Sequence, residues 1–394
     1  MFERATCTNL KKLAFGDVLI DEFRKKNASA KPETLIEHAN ITHVIIKSST
    51  TISKKERWLI DFLHRTVFFK RLKSFRIQKV FTDEYSPEIT FDFIEKYGQD
   101  IDEDVVTKFI LRHRSTLKEL EIGGSGLKIN QSLPPKEAEK FKTVQLESFI
   151  FSLDGSGLPA FLKSQNKLQT LNCSHIFKLH PRFDFWALTS NIFDCIIKNA
   201  PTLSEVKIYP IFISDSPRQK LLQDNVLSMF AVNCKIFSDC LALRKLILGL
   251  HAYRQEEDLA NPKLATLMGN RLTNIQFIPN HILELCLPVE EYSRDELELF
   301  ANSFPKFLKL KSFYFGTSQL NPLNAYLIKS LWIRSLLSLP EIERIEFHNG
   351  RLEDEEKVKE FITDICNANF GTDINMTHVY PRYTFVISRL SQHS

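Results

Sequence analysis

Apolar residues return along this chain in one short phrase: apolar, two positions of any kind, apolar, one of any kind, apolar. It reads Leu10–Leu13–Phe15, Ile41–Val44–Ile46, Leu72–Phe75–Ile77, Leu117–Leu120–Ile122, Leu146–Phe149–Phe151 and Leu168–Leu171–Cys173. Later copies are Leu203–Val206–Ile208, Leu243–Leu246–Leu248, Leu310–Phe313–Phe315 and Ile342–Ile345–Phe347. Two further phrases, Leu272–Ile275–Phe277 and Ile282–Leu285–Leu287, start only 10 residues apart, so only one can be a full repeat. The phrase is too short for a helix. Its last three positions alternate apolar, variable, apolar, which predicts a strand with one buried face.

What precedes the phrases gives them their weight. Residues 56–69 place apolar groups at helical spacing ahead of Leu72, and residues 101–113 do so ahead of Leu117. Residues 185–198, 293–304 and 325–337 stand in the same place before Leu203, Leu310 and Ile342. Ser293 with Glu296 has the spacing of a capping box. Pro201, Pro305 and Pro340 mark the turns, because proline cannot continue a helix. The unit is helix, turn, strand. One such unit cannot bury its apolar side alone, but a stack of them can.

The phrase and its spacing resemble the leucine-rich-repeat superfamily, in the long-repeat, ribonuclease-inhibitor-like form found in F-box/leucine-rich-repeat proteins. The resemblance runs from about Leu10 to Phe347. It implies an α/β fold: an irregular leucine-rich-repeat solenoid with an inner parallel sheet and outer helices. Residues 1–394 then form one array, with 1–40 as first repeat or cap and 350–394 as C-terminal cap. The family's phrase continues to an Asn or Cys that is missing here, where Val80, Ser125, Ile176, His251 or Gly350 stands instead. The buried polar ladder is therefore expected to be absent. No F-box-like segment is visible before Leu10, and direct binding to a Skp-type adaptor is not expected. Residues 10–23 also read as a short amphipathic helix, where a divergent F-box could hide.

Composition adds a polarity to this picture. Residues 1–80 carry 17 Lys plus Arg against 8 Asp plus Glu, while the whole chain has a net charge of only +4. A charged end can steer an acidic partner. The seven cysteines are odd in number and form no CxxC. With no apolar leader and no long uncharged apolar run, the expected setting is cytoplasmic or nuclear, with reduced thiols and no membrane.

Candidate chemistry is thin. Gly123-Gly124-Ser125-Gly126 lacks the Lys-Ser/Thr and helix of a phosphate loop. Asp100, Asp102, Glu103 and Asp104 lack the alternation of a calcium loop and suit the start of a helix. Cys173, His175 and His180 have no second pair for zinc, and Cys234 and Cys240 share no helix face. No catalytic motif is present, so no enzyme and no cofactor is expected. Lys70, Arg71, Lys73, Arg76 and Lys79 interleave with Phe68, Phe69, Phe75 and Phe81, a pattern that can bind nucleic acid. The repeat register instead makes Phe75 an inward strand position and ends the preceding helix with Phe68 and Phe69, all core.

The variable positions of each phrase should point to a partner. They are Lys12 and Ala14, His43 and Ile45, Ser74 and Arg76, Glu119 and Glu121, Ser148 and Ile150, Thr170 and Asn172, Glu205 and Lys207, Lys245 and Ile247, Ser312 and Tyr314, and Arg344 and Glu346. Arg76, Glu119, Glu121, Glu205, Lys207, Lys245, Tyr314 and Arg344 are the residues expected to carry contacts. Their mixed signs suit a protein partner, and the expected role is a protein-interaction scaffold. By resemblance this could be a substrate-recognition component of a ubiquitin-ligase system. The alternative is a nucleic-acid binder using the basic N-terminal repeats.

Overall fold

The structure is a computed structural model. It describes residues 10–16, 19–22, 25, 36–48, 54–79, 103–122, 140, 143–151, 158–176, 185–212, 234–248, 251–252, 278–288, 294–316, 331–348, 374–379 and 384–389. The chain forms two compact units, Met1–Asn199 and Ala200–Ser394. Each has an α/β architecture in which helices flank a mostly parallel sheet.

The first unit runs β1 (Lys12–Phe15), β2 (Ile36–His38), β3 (His43–Ser48), α1 (Lys54–Thr66), β4 (Val67–Phe69), β5 (Ser74–Lys79) and α2 (Glu103–Arg112). It continues with β6 (Glu119–Ile122), β7 (Ser148–Phe151), α3 (Leu158–Ser164), β8 (Thr170–Ile176) and α4 (Phe185–Asn199). Strands β1, β3, β5, β6, β7 and β8 lie side by side in that order, every pair parallel. The register aligns the phrases residue for residue: Phe75 faces Leu120, and Leu120 faces Phe149. Parallel neighbours need a crossover between them, which the helices provide where they are described.

In the second unit β9 (Glu205–Phe212) is followed by a 3₁₀ turn, Cys234–Asp239, then β10 (Lys245–Leu248), β11 (His251–Ala252) and β12 (Glu284–Pro288). After these come α5 (Arg294–Ser303), a 3₁₀ turn at Phe304–Lys306, β13 (Ser312–Gly316), helical residues 331–337 and β14 (Arg344–His348). β9, β10, β12, β13 and β14 are parallel in that order. The last strands, β15 (Ile374–Val379) and β16 (Thr384–Arg389), pair antiparallel, and β16 lies antiparallel on β14. Of the two overlapping phrases, Ile282–Leu285–Leu287 enters the sheet. Residues 272–277 lie outside the described residues.

The core sits on the phrase side of the strands. Ile41, Leu72, Leu117, Leu146, Leu168, Leu203, Leu243, Ile282, Leu310 and Ile342 are all buried, as is the second residue of each of those phrases. Aromatic side chains from the helices meet them. Phe75 lies 4.6 Å from Phe109 between ring centroids, and Phe149 lies 5.1 Å from Phe161. Trp332 stacks on Phe300 at 4.4 Å with Phe304 and Phe313 against its edge. Fully burying one such side chain stabilises by about 1.5–3 kcal/mol. Leu10 is the exception, 39 % exposed before the outermost strand.

A repeated backbone contact sets the start of β3, β5, β6, β7, β8, β10, β12, β13 and β14. The carbonyl of Thr42 accepts from the amides of both Lys73 and Ser74, and that of Lys73 accepts from Lys118 and Glu119. The same doubled bond recurs at Lys11, Lys118 and Glu147, and in the second unit at Ser204, Arg244, Leu283 and Lys311. Each leaves no donor orphaned where the chain turns into the sheet.

Two expectations are corrected. Phe68 and Phe69 do not end the helix. α1 stops at Thr66, whose hydroxyl bonds back to the Phe62 carbonyl at 2.6 Å, and the β-favouring run Val67–Phe69 forms a strand paired with β2. Phe69 is buried nonetheless. A buried polar ladder does exist, in the turns rather than at the family's Asn position. Gln165 accepts from the Leu146 amide at 3.0 Å and donates to the Val144 carbonyl at 3.0 Å. Asn199 repeats this one unit on: it accepts from the Leu168 amide at 2.9 Å and donates to the Gln165 carbonyl at 3.1 Å. Leaving either set of buried groups unpaired costs about 1–3 kcal/mol.

Candidate binding face

The strand alternation that buries the phrase residues turns the variable residues to the opposite face. In the first unit this brings Arg76, Glu119 and Glu121 together across β5 and β6. Arg76 Nη2 donates to Glu119 Oε2 at 2.9 Å, and its Nη1 stands 3.9 Å from Glu121. Arg76 Nε also reaches Ser74 Oγ at 3.1 Å, and Gln78 Nε2 donates to Glu121 at 2.8 Å. Burial alone would raise the Glu119 carboxyl, but the bonds from Arg76 and Ser74 hold it below its ordinary value.

The second unit places Glu205, Lys245, Glu284, Ser312 and Arg344 in one row across β9 to β14. Lys207, Ile247, Cys286, Tyr314 and Glu346 form the next row. Lys207 pairs with Glu205 at 2.6 Å, Lys245 with Glu284, and Arg344 with Glu346 at 2.6 Å. Burial would lower the Lys245 ammonium, but Glu284 raises it. Opposite charges thus close on one another, and each exposed pair contributes at most about 1 kcal/mol. Their value lies in order: a rigid array of donors and acceptors at strand spacing.

Some nominated positions are not available. Ile45, Ser74 and Ile247 are buried, Ser74 beneath the Arg76 side chain that bonds to it. Glu284 was missed in the sequence. The competing phrase at 272 obscured its register, although the alternation through Leu285 and Leu287 would have placed it.

The basic stretch is divided by the fold. Lys70 pairs with Glu37 at 2.6 Å, Arg76 belongs to the face, and Arg71 and Lys73 are exposed. Phe69 and Phe75 are buried, and Phe68 stacks on His113 at 5.5 Å. Phe81 lies outside the described residues.

Of the other motifs, Glu103 and Asp104 open α2, whereas Asp100, Asp102, His180, Ser293 and the glycines at 123–126 lie outside the described residues. Cys173, Cys195, Cys240 and Cys286 are buried and free, and burial pushes the last three thiols up to about 12. Such thiols are poor nucleophiles at neutral pH. Among the described residues no three His, Cys, Asp or Glu side chains gather as metal ligands. Nor is any described helix long and apolar enough to cross a membrane. No family model matches the chain, and no curated protein matches it.

Proposed function

We propose that this chain is a protein-interaction scaffold of the leucine-rich-repeat type, engaging a protein partner on the variable face of its strands. The observation that carries this reading is the in-register array. Along the described phrases from Ile41 onward one strand face is committed to core; the other presents Arg76, Glu119 and Glu121 in the first unit, and Glu205, Lys207, Lys245, Tyr314 and Arg344 in the second, as half-exposed or exposed groups. Mixed signs with an aromatic suit a protein surface, where Tyr and Arg are the common anchors. The resemblance adds a specific role, substrate recognition within a ubiquitin-ligase system.

The test is affinity capture with the partners identified by mass spectrometry, comparing the wild type with Tyr314→Ala combined with Arg344→Ala. The expected result is loss of the partner from a variant that melts like the wild type. Retention of the same partners by this variant and by Arg76→Ala contradicts the reading.

A further inference from the structure

The first phrase of the sheet follows the pattern of the others but is open on one side. β1 pairs with β3 and, among the described strands, with no other. In the ten phrases from Ile41 onward that enter strands, the first residue is at most 3 % exposed and the second at most 1 %. Their counterparts in the first phrase are uncovered: Leu10 is 39 % exposed, and Leu13 is half-buried. Leu19, in the helical turn after β1, is 55 % exposed. Among the described residues of the first unit, Ile197 is the one other large apolar side chain so exposed. In the second unit the outermost phrase strand, β14, is covered by β16, and its phrase residues Ile342 and Ile345 are buried.

The backbone is open in the same place. At the starts of β3, β5, β6, β7 and β8 two amides donate back to one carbonyl ahead of the preceding strand, as Thr42 and His43 do to Lys11. Among the described residues no carbonyl stands in that position for the amides of Lys11 and Lys12. A strand points its backbone groups to alternate sides. The Lys11 carbonyl addresses β3, so the N–H and C=O of Lys12 and Ala14 address the open side. Such an edge is a template for another strand. A helix bonds its own backbone and would leave these groups unanswered, whereas an extended segment answers them. Charge sets the composition of that segment. In the row of Lys11, Lys118 meets Glu147 and Lys311 meets Glu343 ahead of the neighbouring strand. Pairing of two β1 edges from separate copies would instead gather the lysines of both on one seam, where like charges oppose pairing. We propose that the open edge of β1 takes up an extended segment of a partner protein as one more strand of the sheet, with alternating apolar residues beside Leu10 and Leu13 and acids beside Lys11 and Lys12. The added strand pairs through backbone, so the variable side chains of β5 and β6 stay open.

The test selects a displayed library of random peptides about ten residues long against the full chain and measures the binders by fluorescence anisotropy. The expected binders alternate apolar and polar residues and carry Asp or Glu. Ala14→Pro removes an outward N–H without removing a bond to β3, and should weaken them at least about tenfold. Lys11→Glu with Lys12→Glu should weaken them in the same direction. Leu308→Asp, at an exposed leucine of the second unit, should leave binding unchanged. Hydrogen exchange in the complex should slow at the amides of Lys12 and Ala14. Circular dichroism checks that each variant folds; if Ala14→Pro does not, the binder N-methylated at alternate residues takes its place against the wild type, with the same loss expected. Binders indifferent to the proline and to N-methylation overturn the proposal, as does a library that yields none. A dimer of the chain alone that Ala14→Pro dissolves also overturns it, by giving the edge to a second copy.

Discussion

Leu120→Asp should unfold the protein or lower its stability by about 5 kcal/mol or more, while Glu121→Ala, one residue on, should change it by less than about 1 kcal/mol. Leu120 is 1 % exposed, between Phe75 and Phe149 on the strands either side. Truncating a buried leucine alone costs about 2–5 kcal/mol. Aspartate adds a carboxyl that must be buried charged, or protonated well above its usual pKa. Glu121 lies on the other face, and its contacts with Gln78 and Arg76 are partly solvated. Urea unfolding of the two variants checks this, and equal midpoints would mean that the register is off by one.

Acid should weaken the first unit well before its carboxylates protonate. His113 is 1 % exposed, held among Phe68, Phe69 and Phe109. Burial pushes its pKa down from 6.5 to about 4, and the charges of Arg112 and His64 push the same way. The Phe69 carbonyl favours the protonated ring, but without a well-formed hydrogen bond to either ring nitrogen. The folded ring therefore stays neutral while the unfolded ring takes a proton below pH 6.5. Between pH 6.5 and about 4 the unfolded state binds more protons, so stability falls as pH falls. The loss from His113 is about 3 kcal/mol across that window. His64, lowered by burial, Arg112 and Lys108, and His38, lowered by burial, act in the same direction. His113→Phe keeps the aromatic packing and removes the titration. Its melting temperature should fall less steeply than the wild type's from pH 6.5 to 5, and parallel curves would place the acid sensitivity elsewhere.

The sequence made the sheet legible because strand alternation and phrase spacing are local signals. Every described phrase from Ile41 onward enters a strand with its first two residues buried, and the helices ahead of Leu117 and Leu203 fall where their spacing puts them. What it hid depends on partners distant in the chain. The strand at Val67–Phe69 needs Ile36–His38 beside it, and periodicity alone extended the helix through it. The Gln165 and Asn199 clamps reach back across a whole repeat, so no window of the sequence displays them. The face was only partly legible. Register nominated Arg76, Glu119 and Glu121 and the structure brings them together, but which nominated residues become covered depends on side-chain contacts, as at Ser74 beneath Arg76.

The central claim is that, within each unit, consecutive phrases stack as parallel strands in one register with their variable residues on the face opposite the core. Cross-linking tests it most directly. Cysteines at Glu121 and Ile150 are placed opposite each other on β6 and β7, whereas Phe149 faces the core. A short bis-maleimide added to the folded Glu121→Cys/Ile150→Cys protein, followed by peptide mapping, should join the two positions. It should leave the Glu121→Cys/Phe149→Cys protein unjoined. Joining of 121 to 149, or no link between 121 and 150 in a folded protein, would contradict the account.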